Sequence, residues 1–389
     1  MNPNLAVLGL SLFLWGIGEG MFWFFQPLYL EELGADPIAI GTILGGLAVA
    51  MTVAHIPAGY LADRFGRRPI IWAAWRVGLV SAWVMALSQT LPIFITGLIA
   101  YGLTAFVMAP MNSYATAARG KLSTARVITL TSTAFNLGAI IGPITGGVIA
   151  ERAGIRTIYF VAASLFVVSN IAVLFLRKQP VETRLHEDEN KRFRFQWRYL
   201  GFMGIVFLTI FSTYLPQPLS SNFLQNERNL DYGDIGQLGS ISSMGVVFFN
   251  LILGHLDARI GFLLGQIAVA GFAFLLWRGN GLIWFQIGYF LMGGFRTTRS
   301  LAMAQVRDLI PPSVMGLAYG MTETVSALAT IVAPVVAGYL YTAEPVNIYI
   351  GGFFCILISL IVSVGYLRRT DERRLRSEPS NQKSEVRGQ

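Results

Sequence analysis

Four ionisable side chains lie deep inside apolar runs of this chain: Glu19, Arg296, Arg299 and Glu323. A charge at that depth costs several kcal/mol unless it is paired or hydrated, so each is a candidate for function. Glu19 is the only charged residue between Met1 and Leu30, and Trp15, Phe22, Trp23 and Gln26 share its helix face by i, i+3, i+4 spacing. A carboxylate among aromatic rings suits an organic cation, through charge pairing and cation–π attraction. Removing a carboxylate from water also favours its protonated form, so proton and cation would compete for one site. Arg296 and Arg299 lie one helical turn apart in "GGFRTTRSLAM", and Glu323 lies in "GMTETVSAL". At 1.5 Å per residue, Arg296 and Glu323 both fall about 10–15 Å from the same membrane face, where they can pair and leave an arginine free. A free arginine at that depth favours an anionic guest such as a carboxylate or phosphate. The two sets thus point to opposite substrate charges, or to a proton site and a substrate site in one protein.

The elements that position these residues follow from composition. Of 389 residues, 54% are hydrophobic and 13% charged, about half the charged share of a soluble domain. Apolar runs long enough to span a bilayer recur throughout, so the chain reads as a polytopic all-α membrane protein. Twelve spans are expected near 4–30, 37–62, 69–88, 91–118, 124–150, 156–177, 199–225, 233–256, 261–278, 281–306, 314–341 and 346–368. This gives an N-terminal six-helix bundle (1–176), a polar linker (177–198), a C-terminal six-helix bundle (199–369) and a tail (370–389) expected to be disordered for want of an apolar face. The +8 net charge does not indicate nucleic acid, because the basic residues gather in turns. With both termini cytoplasmic, 22 of the 29 Lys and Arg lie on the cytoplasmic side and 4 outside, a bias that fixes orientation. The one cysteine, Cys355, says nothing about redox compartment.

The halves echo each other. "GPITGG" around Pro143 recurs as "APVVAG" around Pro334, and "GYLADRFG" from Gly59 recurs in altered form as "GHLDARIG" from Gly254. Parallel repeats of this kind build one large class of secondary transporters. In "GYLADRFGRRPI", between the second and third spans, Gly59, Asp63, Arg64, Gly66, Arg67 and Arg68 resemble motif A of the major facilitator superfamily. Gly59 permits close helix approach, and Gly66 permits the left-handed backbone that ends a helix. The resemblance implies that Asp63 latches the two halves at the N-terminus of the eleventh helix, with Arg64 and Arg119 as charge partners. "GAIIGPITGG" on the fifth span, with Gly138, Gly142, Pro143, Gly146 and Gly147, resembles motif C, which is associated with drug:proton exporters. Pro143 removes a backbone hydrogen bond and bends the helix, while the glycines offer a smooth packing face.

The same resemblance implies that the first, fourth, seventh and tenth helices line a central cavity. Glu19 then faces it as proton and cation site, with Met108, Met111 and Asn112 on the fourth helix and Tyr214, Gln217 and Asn222 on the seventh as further lining. The expected activity is proton-coupled export of a small amphipathic compound by alternating access, from a monomer in the cell membrane. The rival is a carrier of an anionic metabolite or sugar-like solute held by Arg296 and Arg299. Its expected partners are the lipid bilayer, a small-molecule substrate and protons, with no nucleic acid, metal or cofactor. Enzyme chemistry finds no His-Glu-x-x-His or Gly-x-Ser-x-Gly pattern here, and ATP-driven pumping no phosphate-binding loop.

Overall fold

The computed structural model describes residues 2–178, 197–307, 309–310 and 315–385; the side chains of 56–63, 125, 197–198, 316 and 367–385 are outside the described set. The linker residues 179–196 and the last four residues also fall outside it.

The described residues are helical throughout the expected spans. Eight spans are each one unbroken helix: Pro37–Phe65, Arg67–Leu87, Thr124–Ala153, Ile155–Leu174, Tyr232–Leu253, Ala258–Arg278, Met315–Ala343 and Asn347–Glu385. The other four, the first, fourth, seventh and tenth, are interrupted. The first runs Pro3–Trp23 and resumes at Gln26–Glu32. Pro27 lacks the N–H that would reach the carbonyl of Trp23, so the ladder fails there. The fourth runs Leu91–Leu103, tightens to a 3₁₀ turn at Thr104–Val107 and continues as Met108–Ala117. Pro110 leaves the Phe106 carbonyl without its partner inside that turn. The seventh, Trp197–Tyr214, breaks before Ser220–Arg228 across Pro216 and Pro218. The tenth, Leu282–Met292, is divided from Gly294–Val306 at Gly293, which lies against Gly245 of the eighth span. Ten helices are long and apolar enough to cross a membrane unaided, and the broken tenth and shorter seventh complete the set of twelve. The last helix continues through the tail expected to be disordered; helix propagation from an existing span is less costly than nucleation.

The halves meet along two equivalent seams, the fifth span on the eighth and the eleventh on the second. Each carries one of the repeated prolines. Pro143 packs on Gly236 and Gly239, and the carbonyl of Pro334 lies against Gly41. Beside Pro143, Ser240 of the eighth span enters the opened turn: its hydroxyl donates to the Ile140 carbonyl (2.6 Å) and accepts from the Ile144 N–H (3.2 Å). A neighbouring serine thereby satisfies backbone groups that a proline turn leaves exposed in an apolar medium. Gly138, Gly142 and Gly146 press against the backbone of the first span, while Gly147 faces the eighth. The smooth face expected of these glycines is therefore two faces, one building the N-terminal half and one joining the halves.

Candidate functional site

A cavity of about 180 Å³ lies between the halves. Its wall includes Glu19, Trp23, Phe24 and Gln26 from the first span, and Phe135 and Asn136 from the fifth. The C-terminal half contributes Tyr214, Gln217, Ser220 and Ser221 from the seventh span, Ser242 and Ser243 from the eighth, and Phe295 and Arg296 from the tenth. The broken ends of the first, seventh and tenth helices all open onto it. Irregular backbone at membrane depth is tolerated where it borders a polar cavity.

Glu19 is held by two donors. The Tyr101 hydroxyl donates to its Oε2 at 2.7 Å, and Trp15 Nε1 donates to the same oxygen at 3.2 Å. Trp15 Nε1 also reaches the Tyr101 hydroxyl oxygen at 3.0 Å, which closes a triangle. Behind it the Trp15 ring stacks on Phe166 (centroids 4.1 Å apart, 12° between planes), and Gly78 leaves room for its edge. The helix face expected to carry Trp15, Phe22, Trp23 and Gln26 into the cavity is thus divided. Trp15 and Phe22 turn into the N-terminal core, where Phe22 is 1% exposed and packs edge-on to Tyr101. Trp23 and Gln26 face the cavity, and Gln26 Nε2 is buried there without a hydrogen-bond partner.

On the fourth span the expected Met108, Met111 and Asn112 are not among the lining residues. The 3₁₀ turn displaces them, leaving Met111 buried and Met108 exposed. The fourth span acts instead through Tyr101, which sequence reasoning missed; its position just before the Pro110-induced turn was the available signal. Tyr214 and Gln217 line the cavity as expected. Asn222 does not: it is 1% exposed, and its amide donates to the Pro27 carbonyl (3.2 Å) and to Glu31. Asn226 donates to the other oxygen of Glu31 at 2.8 Å. Together these bonds tie the first span to the seventh at the arginine-poor end.

The tenth span reverses the anticipated pairing. Arg299, not Arg296, bonds Glu323, with Nη2 to Oε2 at 2.6 Å. Three residues of helix rotate the side chain by about 60° short of a full turn, enough to aim Arg299 at the eleventh span and Arg296 at the cavity. Arg299 and Glu323 lie outside the lining. The Arg296 side chain is exposed to the cavity and has no ion-pair or hydrogen-bond partner among the described residues. Beside it Tyr214 stacks on Phe295, centroids 5.3 Å apart.

At the loop between the second and third spans, the side chains of Gly59 and Asp63 lie outside the described set. Gly66 has φ 83° and ψ 158°, a backbone region reserved for glycine, and starts the third span. Arg68 lies 4.0 Å over the Trp72 ring, Arg64 lies 5.5 Å from the Phe65 ring, and Arg67 is engaged as well. Arg119, expected as a partner of Asp63, donates to Thr124 Oγ1 at 2.6 Å. In the altered second copy of the motif, Asp257 caps the ninth span by accepting from the Arg259 N–H.

Comparison with known proteins places this arrangement. The sequence model of the Major Facilitator Superfamily matches residues 8–216 and 202–388. An MFS-type transporter of Methanocaldococcus jannaschii is 24% identical over 95% of this chain and 98% of its own. Multidrug resistance protein 2 of Bacillus subtilis is 24% identical over 85% and 87%, and the class B tetracycline resistance protein of Escherichia coli 24% over 92% and 95%. The crystal structure of the nucleoside transporter NupG superposes with a TM-score of 0.77, at 15% identity, over 95% of this chain and 99% of that one. A fold of two six-helix halves, a cavity between them and a family match over both halves lead to one conclusion: the chain belongs to the Major Facilitator Superfamily and is a multi-pass membrane transporter, not an enzyme.

Proposed function

We propose that the protein exports small amphipathic compounds in exchange for protons, by alternating access. The observation that carries this reading is Glu19: a carboxylate on the wall of the cavity between the halves, held in place by Tyr101 and Trp15. A site that binds either a proton or a cationic group can exchange one for the other as the cavity changes sides. Trp23, Phe24, Phe295 and Tyr214 supply the apolar surface that an amphipathic guest needs. Relatives named for multidrug and tetracycline resistance support the outward direction. The lysine and arginine bias supports cytoplasmic termini in the cell membrane. In this reading the chain works as a monomer, and Asp63 supplies the latch at the arginine-rich end.

Substrate-dependent proton movement in sealed proteoliposomes tests the reading. Added substrate is expected to move protons in the opposite direction, and Glu19→Gln to abolish that movement. Transport that persists with its proton coupling intact in Glu19→Gln sinks the assignment. The rival, an anion carrier, retains one supporting observation, the unpartnered Arg296; Arg299 is taken by Glu323.

A further inference from the structure

We propose that the substrate is a compact zwitterion, its amine held by Glu19 of the N-terminal half and its acidic group by Arg296 of the C-terminal half. This rests on the exporter reading only for the direction of movement, since it concerns what the cavity binds. Both charged groups border the same cavity, one from each half. The Arg296 guanidinium is near enough to act electrostatically on the Glu19 carboxylate, yet the two form no ion pair. Arg299, one turn away, already has its carboxylate partner, whereas Arg296 is left without one in contact with the cavity.

Charge arithmetic then selects the guest. A monocation satisfies Glu19 but leaves Arg296 unpaired and repelling it; a monoanion reverses the fault. Leaving one charge of a site unpaired in a poorly hydrated setting costs more than pairing both gains. A zwitterion satisfies each end. Its body would lie between Trp23 and Phe24 on one wall and the stacked Tyr214 and Phe295 on the other. The buried, unpartnered Gln26 amide supplies one more donor to a polar substituent. At about 180 Å³ the cavity is below the ~300–1,000 Å³ of sites for drug-sized ligands, so the guest is small. Because each half grips one end, such a guest draws the halves together in a way that neither charge alone can.

There is also an electrical consequence. Exchange of a monocation for one proton moves no net charge, whereas exchange of a zwitterion for one proton moves one positive charge inward. An inside-negative potential therefore accelerates export of the zwitterion and leaves that of the monocation unchanged.

Para-piperazinylbenzoate, its methyl ester (cation only) and its N-acetyl derivative (anion only) test the assignment on the unmutated protein. Thermal-shift titration is expected to show the zwitterion binding about tenfold or more tightly than either derivative. Arg296→Gln is expected to bring its affinity down to that of the ester without changing the ester's, and Arg296→Lys to keep most of the preference. Ester bound as tightly as the zwitterion by the unmutated protein overturns the assignment, even where the ester drives proton counterflow and the exporter reading stands. Zwitterion preference without substrate-linked proton flux upholds the assignment and overturns the coupling instead.

Discussion

On the N-terminal wall of the cavity, Glu19 has two donors on one oxygen and a stack of aromatic rings behind them. On the C-terminal wall, Arg296 projects from just past a helix break with no partner of its own. The acid is positioned before any guest arrives, by groups of its own half. The base is positioned by a helix alone and waits for a partner. One wall is preorganised and the other adaptable, which suits a transporter that must hold a proton at a defined place yet accept varied molecules.

The strongest way to break this contrast is to remove the support of the first wall. An added side chain at Gly142 would collide with the backbone of Ile17 and Gly20 in the first span, whereas one at Gly204 meets nothing within 4 Å. Gly142→Leu is expected to abolish monodisperse protein in detergent size-exclusion, and Gly204→Leu to leave it intact. Next in size, Glu19→Gln is expected to cut proton-coupled transport on the order of a hundredfold while leaving the fold intact, measured by uptake into acid-loaded vesicles. Tyr101→Phe removes the shorter of the two hydrogen bonds to the acid and is expected to lower transport about tenfold, with a displaced pH profile. Tyr101 and Arg296 are the titratable or charged groups acting on Glu19, so Trp15→Phe, which removes only a neutral donor, is the control for that displacement. The smallest effect belongs to the paired arginine. Exchanging the partners, Arg299→Glu with Glu323→Arg, is expected to restore transport to within about twofold where either single change lowers it, because an ion pair away from the cavity needs complementary charges and not their order.

Much of the frame was legible in the residues. Proline at 27, 110, 216 and 218 marks three of the four interrupted spans, because a missing N–H has the same local effect wherever it occurs. Only the proline pair on the seventh span is dense enough to read as a break by itself. The paired glycines at 293 and 294 gave a weaker sign of the fourth. Glu19, Tyr214 and Gln217 were recognisable as cavity residues because polar groups at mid-membrane need a polar surface to face. Met108, Met111 and Asn112 were misplaced by assuming an ideal helix through the fourth span, where the 3₁₀ turn shifts the facing of everything after it. Asn222 was misplaced because the chain reverses at Leu215–Leu219, so polarity alone could not separate a cavity wall from a seal between halves.

The order of apolar runs, the arginine-rich turns and the repeated proline motifs determined from sequence alone that this is a twelve-span, two-half membrane protein with an acid at mid-depth. These are local or periodic properties, and a bilayer enforces them span by span. Which arginine is bound and which is free, that Tyr101 rather than a fourth-span methionine serves the site, and that Ser240 closes the turn beside Pro143 were decided only in the tertiary structure. Each depends on how two helices distant in sequence are rotated about their axes. A rotation of one residue is about 100°, and no spacing rule within a single helix fixes it against a neighbour.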